Sequence, residues 1–259
     1  MGKKQSRRSM TPSPEYGGGG LKKRSATSAG ISAFDGFPAD TLKFLRALTR
    51  NNDREWFKAR QDRYEQAVLT PALAFIAAME KPLAQFAPMF RAVPKKVGGS
   101  LMRIHRDTRF AKDKSPYKTN VGIQFRHEMG GDVHAPGFYL HIEPGQLFLG
   151  AGSWHPAADA LALIRAGIDE RPQQWRRAVG AKAFRERYKL AGDVLKRPPR
   201  DFDPEHPLIE DLKRKDFIGI AAYDESTLHA SDFVDYVTAA FKDACPLVRF
   251  LCESLRLPY

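Results

Sequence analysis

Apolar positions recur at helical spacing as soon as the chain leaves its first thirty or so residues. Leu42, Phe44, Leu45 and Leu48 form a stripe that begins after Phe37-Pro38 and stops at Asn51-Asn52, predicting a first helix. Asn52 is placed to cap a second, with Glu55 three residues on as in a capping box and Trp56, Phe57 and Tyr64 as its apolar face. Pro71 suits the first turn of a third, carried by Leu73, Phe75, Ile76, Met79 and Leu83 toward Phe90. After Pro94 the period falls to two. Four segments then read as strands: Leu101 to Phe110, Val121 to His127, Phe138 to Glu143 and Gln146 to Gly150. Pro144-Gly145 marks a tight turn between the last two, and Gly130-Gly131 lies in the connection before them. Helical signals return near Pro156, Pro172 and Ala181. Phe217 to Ala222 is one more short strand, and Ser231 to Leu255, with Ser231 as N-cap, closes the chain as a long amphipathic helix. The expected fold class is α+β, a mainly antiparallel sheet of four to five strands flanked by N-terminal and C-terminal helices.

Residues 1–33 are Ser, Gly, Pro, Lys and Arg with a run of four glycines, so they are expected to be a disordered basic tail before a single domain over 34–259. The tail also accounts for half of the net charge. Of the formal +12, seven basic residues against one acidic in the tail give +6, and 35 against 29 in the remainder give the other +6, an ordinary surplus. Global charge is therefore weak support for a nucleic-acid partner. Cys245 and Cys252, seven apart in one predicted helix, fit neither a disulfide framework nor a CxxC pair, and reduced thiols are expected. There is no uninterrupted run of about 18 apolar residues and no signal-peptide pattern, which leads us to expect a cytoplasmic protein without a membrane partner.

Charge is concentrated locally instead. Between Arg103 and Lys118, six cationic side chains fall within sixteen residues, interrupted by only two carboxylates, Asp107 and Asp113. Two like charges about 5 Å apart at an effective dielectric of about 20 repel by roughly 3 kcal/mol, so the segment needs carboxylates, solvent or a bound anion to relieve it. Alternation along the predicted strands puts Arg103, His105 and Asp107 on the face opposite Met102 and Ile104. It likewise sets Gln124 and Arg126 against Val121, Ile123 and Phe125, and Tyr139, His141 and Glu143 against Phe138, Leu140 and Ile142. Were these strands neighbours, their polar faces would form a pocket floor. A merely solvated face with cross-strand ion pairs is the structural alternative.

The strings Asn51-Asn52 with Trp56-Phe57, Arg103-Ile104-x-Arg106-Asp107-x-Arg109-Phe110 and Asp113-Lys114-x-Pro116-Tyr117-Lys118 resemble those of a widespread family of bacterial and fungal conserved hypothetical proteins, a domain of unknown function. The resemblance covers about residues 34–255 and implies one α+β domain. It marks Arg103, Arg106, Asp107, Arg109, Asp113, Lys114, Tyr117 and Lys118 as motif positions and leaves His105 at an open one. Beside it, the residues themselves suggest a pocket for a phosphate- or carboxylate-containing ligand, lined by Arg103, Arg106, Arg109, Lys114, Tyr117, Lys118, Arg126 and Tyr139. Asp107, Glu143 and His141 are the candidates for proton handling should the protein be an enzyme on a small anionic substrate. A nucleic-acid-binding module using the same cations and the tail is the alternative. No phosphate loop, nucleophile elbow or cofactor motif is visible, and no cofactor is expected. A metal held by His105, Asp107, His141 and Glu143 is the weakest reading, because arginines surround it. Alternation sends Arg106 toward the apolar side, where it would need a carboxylate partner.

Overall fold

The computed structural model describes residues 34–129 and 135–259. The basic tail at 1–33 and the Gly130-Gly131 connection lie outside the described residues. The chain first builds a helical layer. Helix α1 (Ala39–Arg50) buries Leu42, Phe44, Leu45 and Leu48, the predicted stripe, and ends at Asn51. Helix α2 (Arg54–Lys58) is capped by Asp53, whose carboxylate accepts the Trp56 N–H at 2.7 Å, so the expected capping by Asn52 is displaced by one residue. Asp53 takes the role because its side chain reaches the third N–H directly, which frees Asn52 for another partner.

A short turn, α3 (Gln61–Tyr64), runs through a π-helical turn (Glu65–Leu69) into α4 (Thr70–Ala78) and then α5 (Glu80–Phe86). Pro71 has no N–H to offer the carbonyl of Ala67 four residues back. The buried hydroxyl of Thr41 donates to that carbonyl instead, at 2.6 Å, pinning α1 to the wide turn. By length and composition the continuous stretch Gln61–Phe86 is apolar enough to cross a bilayer, although half of its most apolar window is buried within the fold. Phe75, Ile76, Met79 and Leu83 are fully buried core residues.

The sheet has six strands in the order β1 (Phe90–Arg91), β2 (Val121–His127), β3 (Gly137–Glu143), β4 (Gln146–Ser153), β6 (Phe217–Tyr223) and β5 (Lys189–Ala191), each antiparallel to its neighbour. β3 and β4 join through Pro144-Gly145 with Glu143 opposite Gln146, and Gly145 takes φ +83° as the turn requires. Between β4 and β6 the chain forms α6 (Ala158–Glu170), α7 (Pro172–Gly180), α8 (Lys182–Arg187) and the short α9 (Ile209–Leu212). After a 3₁₀ turn (Glu225–His229), α10 (Phe233–Ser254) lies against the sheet. Asp232, not Ser231, precedes its first residue, and its side chain makes no capping bond. Phe241 of α10 wedges between Phe125 and Phe138, with ring centroids 6.0 and 4.9 Å away. Both cysteines are free thiols in α10; Cys252 is buried and Cys245 half-buried.

Leu101 to Phe110 is not a strand. It meets the sheet through one isolated bridge, Leu101 to Ile123, and the Met102 N–H bond to Gly122, while a second bridge joins His105 to Tyr117 outside the sheet. The edge beside β2 is interrupted after Arg91 by a loop that returns at Ser100, whose hydroxyl and N–H both bond Val93. Beyond the Met102 N–H bond to Gly122, the chain and its partner residues 116–120 peel off together toward the α1–α2 corner. The two extra strands, β1 and β5, are two and three residues long, too short to show a period.

Candidate functional site

Alternation gives the sheet two unlike faces. Phe138, Leu140 and Ile142 of β3, Leu147, Leu149 and Ala151 of β4, and Phe217 and Ala221 of β6 are buried in the core. The opposite face carries Gln124, Tyr139, His141, Phe148, Gly150, Ile218 and Ile220, and these line an open cleft of about 450 Å³ with Met102, Gly152, Trp154, Ala191 and Gly192 at its edges. No Lys, Arg, Asp or Glu is among its described lining residues. Of the residues expected on a pocket floor, Gln124, Tyr139 and His141 line this cleft; Glu143 is not among its described lining residues, nor are Arg103, His105 and Asp107, whose segment leaves the sheet. Arg126 shares the alternation but lies outside the cleft lining, and its buried Nε finds no acceptor among the described residues.

At the polar end of this face the side chains form a chain of hydrogen bonds. The Tyr139 hydroxyl is 3.1 Å from His141 Nδ1, His141 Nε2 is 3.2 Å from a Glu143 oxygen, and the other Glu143 oxygen accepts from the Thr119 hydroxyl at 2.7 Å. The His141 ring stacks on Phe148 with centroids 4.5 Å apart and planes 11° from parallel. Burial pulls the His141 pKa down despite the opposing pull of Glu143. Burial, with Glu143 adding to it, pushes the Tyr139 phenol up to about 12. Gly122 makes room for the tyrosine: a Cβ there would lie 2.8 Å from the phenolic oxygen and 2.9 Å from Met102 Sδ.

The cationic string sorts into tied and untied charges. Arg106 pairs with Asp113, the carboxylate partner it was expected to need. Asp113 also accepts from the Ser115 hydroxyl and N–H, and Ser115 first and Arg106 second hold its carboxyl well below the usual carboxylate range. Arg109 pairs with Asp107 at 2.7 Å, which with the Arg109 backbone N–H pushes Asp107 down to about 2. So acidic and exposed a carboxylate is a poor proton acceptor at neutral pH, and Asp107 lies apart from His141 and Glu143. Lys114 donates to the Thr108 carbonyl at 2.9 Å, closing the loop on itself. Arg103 and Lys118 make no ion pair or side-chain hydrogen bond among the described residues. Arg103 is exposed; Lys118 is half-buried, and burial first, then the nearby Arg103, lowers its pKa.

Lys118 opens into a polar pocket of about 290 Å³ with Arg106, Asp113, Ser115, Asn120 and Asn52. Asn52 straps this segment to the helical layer. Its Nδ2 donates to the Tyr117 carbonyl at 2.9 Å while its Oδ1 accepts the Tyr117 N–H at 3.1 Å, as a neighbouring strand would. The Tyr117 ring is buried and stacks on Phe57 at 4.1 Å, so it is a core residue that also borders the pocket. A third groove, of about 660 Å³, runs along Arg54, Lys58, Lys96, Arg103 and His105 and borders the same segment.

The profile of a family described as conserved hypothetical proteins, DUF2461, matches residues 40–250. The chain belongs to that family. No curated protein and no solved structure matches it. In this DUF2461 chain much of the arginine-rich signature builds its own loop, and the half-buried Lys118 ammonium has no ion pair among the described residues. Among the described residues no three metal-binding side chains converge, and His105 and Asp107 do not join His141 and Glu143. The sequence reading missed Thr119 and Asn120, which follow the signature directly and reach Glu143 and His141. It also missed Phe148, Gly150, Ile218 and Ile220, although the same alternation extended into β4 and β6 would have found them.

Proposed function

We propose that this DUF2461 protein binds a small anionic ligand, phosphate- or carboxylate-bearing, in the polar pocket around Lys118. The observation that carries the reading is the ammonium of Lys118, half-buried beside the exposed Arg103 and without an ion pair among the described residues, while Arg106 and Arg109 are held by Asp113 and Asp107. In the pocket two cations, Lys118 and Arg106, face one carboxylate, Asp113, so two positive charges less one negative leave a net positive charge of one. An anion there would offset the burial and the Arg103 repulsion that disfavour the lysine's charge. Asn120 joins this pocket to the histidine network, because its Nδ2 lies 3.4 Å from His141 Nδ1.

The nucleic-acid alternative has less support from the string, since Arg106 and Arg109 already hold carboxylates and Lys114 a carbonyl. The two readings separate in one experiment: thermal-shift and calorimetric titration with inorganic phosphate, mononucleotides, sugar phosphates and short oligonucleotides at low and high salt. The proposal expects a small anion to stabilise the wild type, and Lys118→Met to weaken its binding by about tenfold, the loss of one charge-assisted bond. Arg109→Ala should leave binding unchanged. Affinity that grows with oligonucleotide length and collapses with salt would favour the alternative. Equal binding by wild type and Lys118→Met would refute the pocket.

A further inference from the structure

The open-face cleft is unlike the anion pocket in every chemical respect. It is about 450 Å³, framed by Met102, Phe148, Ile218, Ile220 and the half-exposed Trp154, and it has no charged residue in its described lining. Its floor is opened by Gly150 in the middle of β4. Glycine in a strand interior weakens the strand and calls for a reason, commonly the close approach of a ligand or another backbone. Gly152, next on the same face, has one: φ is +128° and a Cβ would lie 2.0 Å from the Phe217 carbonyl oxygen. Gly150 has none. It has no positive φ, and the nearest atoms a Cβ there would meet are Ile218 Cδ1 at 3.4 Å and Ile220 Cδ1 and Tyr139 Cβ at 3.6 Å, all ordinary contacts. What its missing side chain preserves is space on the cleft side of β4, between the two isoleucines and Tyr139.

Of the polar residues lining the cleft, Gln124, Tyr139 and His141, the Tyr139 hydroxyl lies against His141, which in turn meets Glu143. The Glu143 carboxylate accepts, so His141 carries its hydrogen on Nε2, and Nδ1 is left to accept from the Tyr139 O–H. The Tyr139 oxygen keeps lone pairs for a donor above it. We infer that the cleft is a binding site for a planar, uncharged molecule bearing one weakly acidic hydroxyl, phenol- or enol-like, and that Tyr139, His141 and Glu143 form a relay that takes up its proton. In that step the ligand O–H bond breaks and its proton bonds to the Tyr139 oxygen. The tyrosine's own proton moves to His141 Nδ1, and the products are a ligand oxyanion and an imidazolium facing the Glu143 carboxylate. Charge is conserved, and no oxidant or second reactant is needed. Tyr139 and His141 move the proton; Glu143 is a positioning residue that fixes the tautomer and supports the imidazolium. The inference does not depend on the anion reading, because Lys118 lines a different pocket.

The test uses the full chain and 4-nitrophenol, whose phenolate absorbs visible light and whose phenol does not. The relay predicts saturable binding and a bound probe that ionises at lower pH than the free one, by about one pH unit or more, a tenfold change in the ionisation constant. His141→Gln should still bind the probe but lose the downward shift. Tyr139→Phe should do the same and serves as a second test if the first variant folds poorly. Gly150→Leu should abolish binding without lowering the melting temperature by more than a few degrees, and Lys118→Met should change nothing. A plain apolar slot would do the reverse and hold the probe as its neutral phenol, raising the ionisation pH. That outcome, absence of binding, or an unaltered shift in both relay variants would overturn the inference.

Discussion

Removing the Asn52 side chain is the sharpest test of how the signature segment is held. Two hydrogen bonds, at 2.9 and 3.1 Å, join its amide to both backbone groups of the buried Tyr117. Each such bond is worth about 1 kcal/mol net, and truncation costs more than that because it strands the Tyr117 N–H and C=O in a partly desolvated place, at about 1 to 3 kcal/mol each. Part-burial puts the sum for Asn52→Ala at about 2 to 4 kcal/mol, a large share of the roughly 5 to 15 kcal/mol that holds a domain together. With a urea m-value of about 2 to 3 kcal/mol/M, the midpoint should fall by about 1 M at constant slope. Asn51→Ala is the control. Its Nδ2 bonds the Ala47 carbonyl at 2.9 Å but lies exposed, so its loss should cost under about 0.5 kcal/mol. Asn52→Asp keeps the acceptor for the Tyr117 N–H yet turns a second oxygen toward the Tyr117 carbonyl, and should be no more stable than Asn52→Ala. Urea unfolding followed by tryptophan fluorescence decides it. Should Asn51→Ala and Asn52→Ala prove equally mild, the strap is not what holds the segment.

Asp216 should be as important on the other side of the sheet: it is 1% exposed and accepts the N–H groups of His155 at 2.6 Å and Asp193 at 2.7 Å, so Asp216→Ala should cost about 3 kcal/mol or more by urea melts, and a loss below 1 would contradict the geometry. Thr41→Val should cost about 1 to 3 kcal/mol by stranding the Ala67 carbonyl, and should cost less in a Pro71→Ala background, where residue 71 regains an N–H; a double-mutant cycle measures the difference. Acid should loosen the loop around Asp107 and Asp113. Both carboxyls are held below their ordinary range, so the stability they add is present above that range and is lost as pH falls toward their depressed values. Both are exposed, so the effect should be modest and shrink with salt; hydrogen exchange across residues 107–115 reads it, and Asp113→Asn should blunt it. Cys252, buried with its thiol pushed up to about 12, should resist thiol reagents until the protein unfolds.

The helices were legible where one face is apolar at regular spacing, as Leu42, Phe44, Leu45 and Leu48 show, and the strands where alternation runs unbroken, as in Phe138, Leu140 and Ile142. Caps were less legible, because Asn51-Asn52-Asp53 offers three side chains able to serve and only the fold shows which one is spent on Tyr117. Leu101 to Phe110 alternates like a strand but pairs too briefly, since the loop ending at Ser100 breaks the edge beside β2. Short edge strands such as Lys189–Ala191 carry no period to detect. Among the candidate site residues, alternation within one strand predicted neighbours correctly and alternation carried across to Leu101 to Phe110 did not. Tyr139, His141 and Glu143 share a face because they share a strand, whereas Arg103 and Asp107 were placed by a strand that does not form.

That difference changes what the signature is for. A run of six cations reads as a binding surface when only its composition is known, and yet a guanidinium paired with a carboxylate two or seven residues away is a loop-building device with little charge left to offer. Arg109 with Asp107, Arg106 with Asp113 and Lys114 with the Thr108 carbonyl fix the loop, while Asn52 fixes the strand-like end that follows it. The construction delivers Lys118, Thr119 and Asn120 in succession. Lys118 supplies a half-buried charge without an ion pair among the described residues, Thr119 donates to Glu143, and Asn120 approaches His141. Three adjacent residues therefore serve two pockets from one backbone, and a substitution that lets this segment slip should damage both. Asn52→Ala should weaken anion binding and also erase the 4-nitrophenol ionisation shift, whereas Lys118→Met should affect only the first. Measuring both variants in both assays separates a shared scaffold from two independent sites, because independent sites would leave the ionisation shift intact in Asn52→Ala.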